Sequence, residues 1–166
     1  MLFLRQRRKL SKLNKNLQGT LPASSKNTTI DTAGWYRVAE YQANTHNESI
    51  GSLCNSVNIS IRRDYRSDNN EYYNMLLMST YNKSKFVLIG KLVNKQCIDK
   101  IRHTIDGANL KAYIEIYYSA DKKNTIRMDL FNTVDVANNK WVAISPAATE
   151  ETIEGVSVMS MMDLTT

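Results

Sequence analysis

Cysteine, histidine and proline number only two each in 166 residues, and the six glycines are scattered singly. Each scarcity excludes something. Cys54 and Cys97 stand in no C-x-x-C or Cys/His ligand spacing, so neither a zinc site nor a disulfide scaffold is expected. Both read as buried free thiols of a reducing compartment. Isolated glycines provide no phosphate-cradling loop. No apolar run approaches the roughly eighteen residues of a membrane-spanning helix. The opening MLFLRQRRKL passes from four apolar residues straight into positive charge, with no small-residue cleavage site. A secretion signal is therefore not expected, and the chain should be made and kept in a cytosol or assembled there. The Asn-x-Ser/Thr sequons at Asn27, Asn47, Asn58 and Asn82 are then by-products of an asparagine-rich sequence.

Acidic residues are missing altogether from residues 1–18, which carry Arg5, Arg7, Arg8, Lys9, Lys12 and Lys15. Taking those six from 22 lysines and arginines leaves 16, matched by 16 aspartates and glutamates in the remainder. The net charge of +6 thus resides in the arm, and the body is neutral. Leu2, Leu10, Leu13 and Leu17 fall near one helical stripe, the pattern of a short amphipathic helix. So short a helix is marginal alone in water and would order against a partner. Gly19, Pro22 and residues 23–29 then read as an extended linker. The expected division is an anchoring arm and linker over 1–30 and one folded domain over 31–166.

Within the domain the hydrophobic period is two. GWYRVAEY at 34–41 has the aromatic and β-branched content of a strand. Val57, Ile59 and Ile61 alternate with Asn58, Ser60 and Arg62, so one face is buried and the other wet. Further strands are expected at 72–81, at 86–93 (continuous enough in apolar residues for a central strand), and at 97–105. Asp106-Gly107 signals a hairpin into 110–118 through a residue pair that accepts positive φ. Strands at 126–131, at 141–144 (stopped by Pro146) and at 155–164 complete the set. About nine strands at short spacing, with no ten-residue helical period, point to an all-β fold. Parallel α/β architecture is excluded for want of crossover helices. An antiparallel, jelly-roll-like β-sandwich is the expected architecture.

Candidates for chemistry are few. His46 lies in a loop, and His103 lies on a strand with no nucleophile-elbow serine to serve. Asp64, Asp68, Glu71, Asp129 and Asp135 lie near turns, where surface acids are common, and nothing marks two of them as a glycosidase pair. No catalytic residue, metal or cofactor is expected, and the chain should build or bind rather than catalyse. Tyr36, Tyr65, Tyr72, Tyr73, Tyr113 and Tyr117 are the candidate contact residues. Outward tyrosines stack on sugar rings or pack between subunits, and otherwise they cover a sheet.

The succession GWYRVAEY, NISIRR, KFVLIGKLV, KIRHTIDGANLKAYIEIYY and KWVAISP resembles the β-rich modules of bacteriophage fibres and other virion appendages, over about residues 31–166. It is especially similar to those encoded by phages and prophages of gut bacteria. The resemblance implies a virion structural protein: a homotrimer with strand faces buried between protomers, behind an N-terminal segment that docks on the particle. Here that segment is short and lacks a shaft repeat. A compact head or tail appendage or a decoration protein is therefore implied rather than a long fibre. On this reading the arm, with Leu10, Leu13 and Leu17 among its basic residues, meets other virion proteins, and the domain is presented for host attachment. Two alternatives stand beside it. One is a carbohydrate- or receptor-binding module using the tyrosines and loops; the other is a nucleic-acid or membrane-surface binder working through the arm.

Overall fold

The computed structural model describes residues 24–42, 55–63, 70–80, 83–133 and 140–166. The arm residues Arg5, Arg7, Arg8, Lys9, Leu10, Lys12, Leu13, Lys15 and Leu17, together with Tyr65, lie outside the described residues. The described chain is all β. Its ten strands are β1 (Ser24–Ile30), β2 (Gly34–Gln42), β3 (Val57–Arg63), β4 (Glu71–Thr80), β5 (Lys83–Val93), β6 (Ile98–Asp106), β7 (Lys111–Tyr118), β8 (Asn124–Asn132), β9 (Lys140–Thr149) and β10 (Val156–Asp163).

They form two antiparallel five-stranded sheets, in the orders β1-β8-β3-β4-β5 and β10-β6-β7-β2-β9. The quartet β8-β3-β4-β5 follows Greek-key order: three consecutive strands, with a distant fourth beside the first. Alternation explains the core. Val57, Ile59 and Ile61 of β3, Tyr73, Met75 and Leu77 of β4, and Ile126, Met128 and Leu130 of β8 are buried from the first sheet. Ala39 and Tyr41 of β2, Ile101 of β6, Ala112, Ile114, Ile116 and Tyr118 of β7, and Trp141 of β9 are buried from the second, and all belong to one cluster. Trp141 is wholly buried, edge-on to Tyr41 at 5.2 Å, and its indole N–H donates to the Asn55 carbonyl at 2.8 Å.

Four sequence expectations are corrected. The first concerns residues 24–29, read as linker: they form most of β1, which pairs along its whole length with β8, from Ser24↔Leu130 to Ile30↔Asn124. Ile30 is buried, so a row of ladder bonds and one core residue hold a segment whose polar composition suggests a connector. The second concerns Pro146, which does not stop its strand. β9 is an edge strand, where a missing N–H costs no ladder bond. Its pairing with β2 passes from Arg37↔Ala147 to Ala39↔Ala143, so residues 144–146 bulge out opposite Val38. The third concerns 86–93, read as a central strand; it belongs to β5, which begins at Lys83 and lies at the sheet edge.

The fourth is the β6–β7 hairpin. Asp106 pairs with Lys111, leaving a four-residue loop, and the left-handed residue is Leu110 (φ 52) rather than Gly107. Asp106 closes the loop instead: its carboxylate accepts from the Asn109 backbone N–H at 3.0 Å and the Asn109 amide at 2.7 Å. Those bonds hold the Asp106 carboxyl below its ordinary range.

Candidate functional site

Two surfaces separate the candidate tyrosines. On the outer face of the second sheet, β2, β6 and β7 bring Trp35, Arg37, Arg102, Tyr113, Glu115 and Tyr117 into one layer, through the pairs Trp35↔Tyr117, Arg37↔Glu115 and Arg102↔Glu115. Arg37 lies over the Tyr113 ring and Arg102 over the Trp35 ring, each at 4.0 Å. Trp35 meets Tyr117 edge-on at 5.4 Å. Between the arginines lies Glu115, its carboxylate fully buried, accepting from Arg37 Nε at 3.2 Å and Arg102 Nε at 2.6 Å. Arg102 also donates to the Glu150 and Glu151 carbonyls at 2.7 and 2.6 Å, pinning the β9–β10 connection over the layer.

The layer satisfies itself. A buried carboxylate needs its cations, the cations sit on rings, and the rings are covered by the cations. Tyr113 is buried, and burial pushes its hydroxyl above the ordinary range. Tyr117 is half-buried in the same layer. Neither ring offers an open stacking platform.

Tyr73 is not outward at all. It is a core residue, with its hydroxyl donating to Glu71 Oε1 at 2.9 Å, and burial beside that carboxylate raises its pKa strongly. The reason is register: Tyr73 shares a face with Met75 and Leu77, and its neighbour Tyr72 takes the outside. Tyr36 is half-buried, its hydroxyl tied to the Thr32 carbonyl at 2.9 Å. Of the described candidates only Tyr72 is an exposed one, at 37 %.

Tyr72 opens onto the second surface. Outer-face residues of β4 and β5 pair as Tyr72↔Leu92, Leu76↔Val87 and Met78↔Lys85. Met78 is 49 % exposed, Val87 37 % and Leu92 62 %. Between Gly90, paired with Asn74, and Leu88, paired with Met75, the extra residue Ile89 bulges from the ladder and is also exposed. A row of large apolar side chains thus lies on the outer face of the first sheet, beside its open edge. Facing that edge is β10, the open edge of the other sheet, whose Val158 and Met161 are exposed in turn. The Ser84 and Ser160 hydroxyls meet at 2.8 Å between the two edges, and Lys91 Nζ donates to the Leu164 carbonyl at 2.6 Å.

The edge and the face are treated differently. Lys83, Lys85 and Lys91 line β5 and are exposed, and the bulge at Ile89 breaks the ladder; both devices oppose the addition of a further strand. Lys83 and Lys85, paired with Thr80 and Met78, stand at one end of the outer face as well, and the apolar residues lie beyond them. The sequence contained one signal for this surface: the lysines Lys83, Lys85 and Lys91 punctuate KSKFVLIGKLV as they would an edge strand. The ion-paired layer around Glu115 had no such signal, because its partners lie 78 and 13 residues away.

No family model and no curated protein matches the chain. Among solved structures it is similar to the crystal structure of the Acinetobacter phage vB_ApiP_P1 tailspike protein, with a TM-score of 0.41 and 13 % sequence identity. The match covers 72 % of this chain and 22 % of the tailspike chain, so the chain spans less than a quarter of that protein.

Proposed function

We propose that the chain is a structural module of a virus particle, a jelly-roll-like β-sandwich that assembles with copies of itself through the outer face of β4 and β5. The observation that supports this most is the apolar row of Tyr72, Leu76, Met78, Val87 and Leu92 beside an edge that lysines protect from strand addition. A module that only had to stay soluble would carry polar residues on that face, as β3 does with Asn58, Ser60 and Arg62. Self-assembly as a trimer gives each copy a neighbour to cover the row. The resemblance of the strand motifs to virion appendage modules supplies the particle, and the basic arm supplies an anchor to an acidic partner protein. The proposed site of action is the virion surface, with host attachment as the use of the presented domain.

Paired substitutions test the surface. Met78→Lys with Leu92→Lys places two charges on the exposed row without touching the core. Sedimentation velocity should show the variant as a monomer under conditions where the parent is a trimer. Each replacement removes about 1–2 kcal/mol of apolar burial per protomer, so the loss of assembly is large. A variant that assembles like the parent would remove this face from the account.

A further inference from the structure

A different part of the molecule carries a second binding surface. Arg63 closes β3 with its side chain only 2 % exposed, in an ion pair with the fully buried Glu71 at 3.1 Å. Glu71 also accepts from the backbone N–H groups of Cys97 and Ile98, at 3.1 and 2.9 Å, so the pair is a fixed, internally neutral base for what lies above it. The guanidinium further donates to Asn124 Oδ1 at 3.4 Å and to the Lys95 carbonyl. These bonds take one N–H from each nitrogen, so among the described residues Nη1 and Nη2 each keep a second.

Arg63 and Asn124 stand in the wall of a cavity of roughly 500 Å3, completed by the β5–β6 connection at Lys95–Cys97 and the β7–β8 connection at Ala120–Lys123. That volume is within the range of small-molecule sites. Around it are three exposed lysines, Lys95, Lys122 and Lys123, none of them in an ion pair among the described residues, against one acid, Asp121. Lysines on a convex surface are ordinarily solvated and mean nothing. Here they converge on a concavity with a buried guanidinium in its wall, which focuses their positive potential.

We propose that this cavity binds a small, multiply charged oxyanion without an aromatic ring, carrying phosphate or carboxylate groups. Charge and donor chemistry set the sign: lysine ammonium groups and the remaining guanidinium N–H favour anionic oxygen, while the two N–H of the Asn124 amide are already donated to the Tyr118 hydroxyl and the Lys122 carbonyl. The lining sets the rest. Its apolar members are Cys97 and Ala120, with no aromatic or large aliphatic side chain on which a base or ring could stack. The site draws on the β3 end and two connections, apart from the apolar row of β4 and β5, so it is independent of the assembly reading.

The test is a titration of the full chain, followed by amide NMR, with pyrophosphate, citrate and neutral sucrose. Pyrophosphate and citrate should each produce saturable shifts at Lys95–Cys97 and Ala120–Asn124, and the better of the two identifies phosphate or carboxylate as the preferred group. Bound anion should also raise the thermal midpoint, because it stabilises only the folded state. Lys95→Gln with Lys122→Gln should leave the midpoint of the free protein unchanged and weaken binding at least about tenfold. The proposal is overturned by any of three results: no saturable shift up to about 10 mM anion, an equal response to sucrose, or unaltered affinity in the double variant.

Discussion

Single residues here are governed by what burial demands of polar atoms. His103 is 1 % exposed, its Nδ1 2.9 Å from the Ser84 hydroxyl and its ring edge-on to Trp141 at 5.5 Å. Burial lowers its pKa to about 4 from an ordinary 6.5. A base with a depressed folded pKa binds its proton more readily when unfolded. Its neutral form therefore contributes stability that is fully present above about 6.5 and is lost as pH falls toward and below about 4. Thermal melts from pH 7 down to pH 4 should show a loss worth roughly 3 kcal/mol from this residue. A His103→Phe variant, keeping the ring against Trp141, should show a correspondingly flatter profile; an unaltered profile would assign the acid sensitivity elsewhere. Leu110 makes a second case. A leucine held at φ 52 carries a left-handed penalty that glycine does not. Leu110→Gly should therefore stabilise the protein by about 0.5–1 kcal/mol in urea denaturation, net of the entropy that glycine adds to the unfolded chain.

Strands show where sequence reading succeeds and where it fails. Strand-like composition and alternation were enough to place β2, β3, β4, β7 and β8 and to assign the buried face of β3, since Val57, Ile59 and Ile61 are buried as a set. Alternation reports on a strand's own faces. It carries no information about which strand lies alongside, so β5 looked central from its apolar run although it is an edge. The same blindness hid β1, whose polar residues are ordered by β8, about a hundred positions later. Tyr73 was misassigned for a related reason: in Glu-Tyr-Tyr-Asn either tyrosine could face inward, and register with Met75 and Leu77 decided it. The lysines of β5 yield the prediction at this scale. Lys83→Val with Lys85→Val should leave the melting temperature nearly unchanged but promote aggregation, visible as rising light scattering on storage. A variant as soluble as its parent would mean that the bulge at Ile89 alone protects the edge.

The described residues form two five-stranded sheets around one core, with the unusual surfaces set apart from one another. The outer face of the second sheet is consumed by its own arginine, glutamate and aromatic contacts. One end holds the basic cavity above Arg63 and Glu71. The outer face of β4 and β5 is left apolar, and the proposed assembly rests on it. Neither the ion-paired layer nor the cavity was legible as a site in the sequence, because each joins residues that only the folding of distant strands brings together; the apolar row joins the consecutive strands β4 and β5, and its one signal was the lysine punctuation of KSKFVLIGKLV. What the sequence did carry was the class of fold, the neutral body and the concentration of charge in residues 1–18. The most direct test of the assembly is the solution mass of the full chain, measured by sedimentation equilibrium across micromolar concentrations. The account predicts a stable species of three times the 19.0 kDa chain mass. A mass of one chain at every concentration would contradict it.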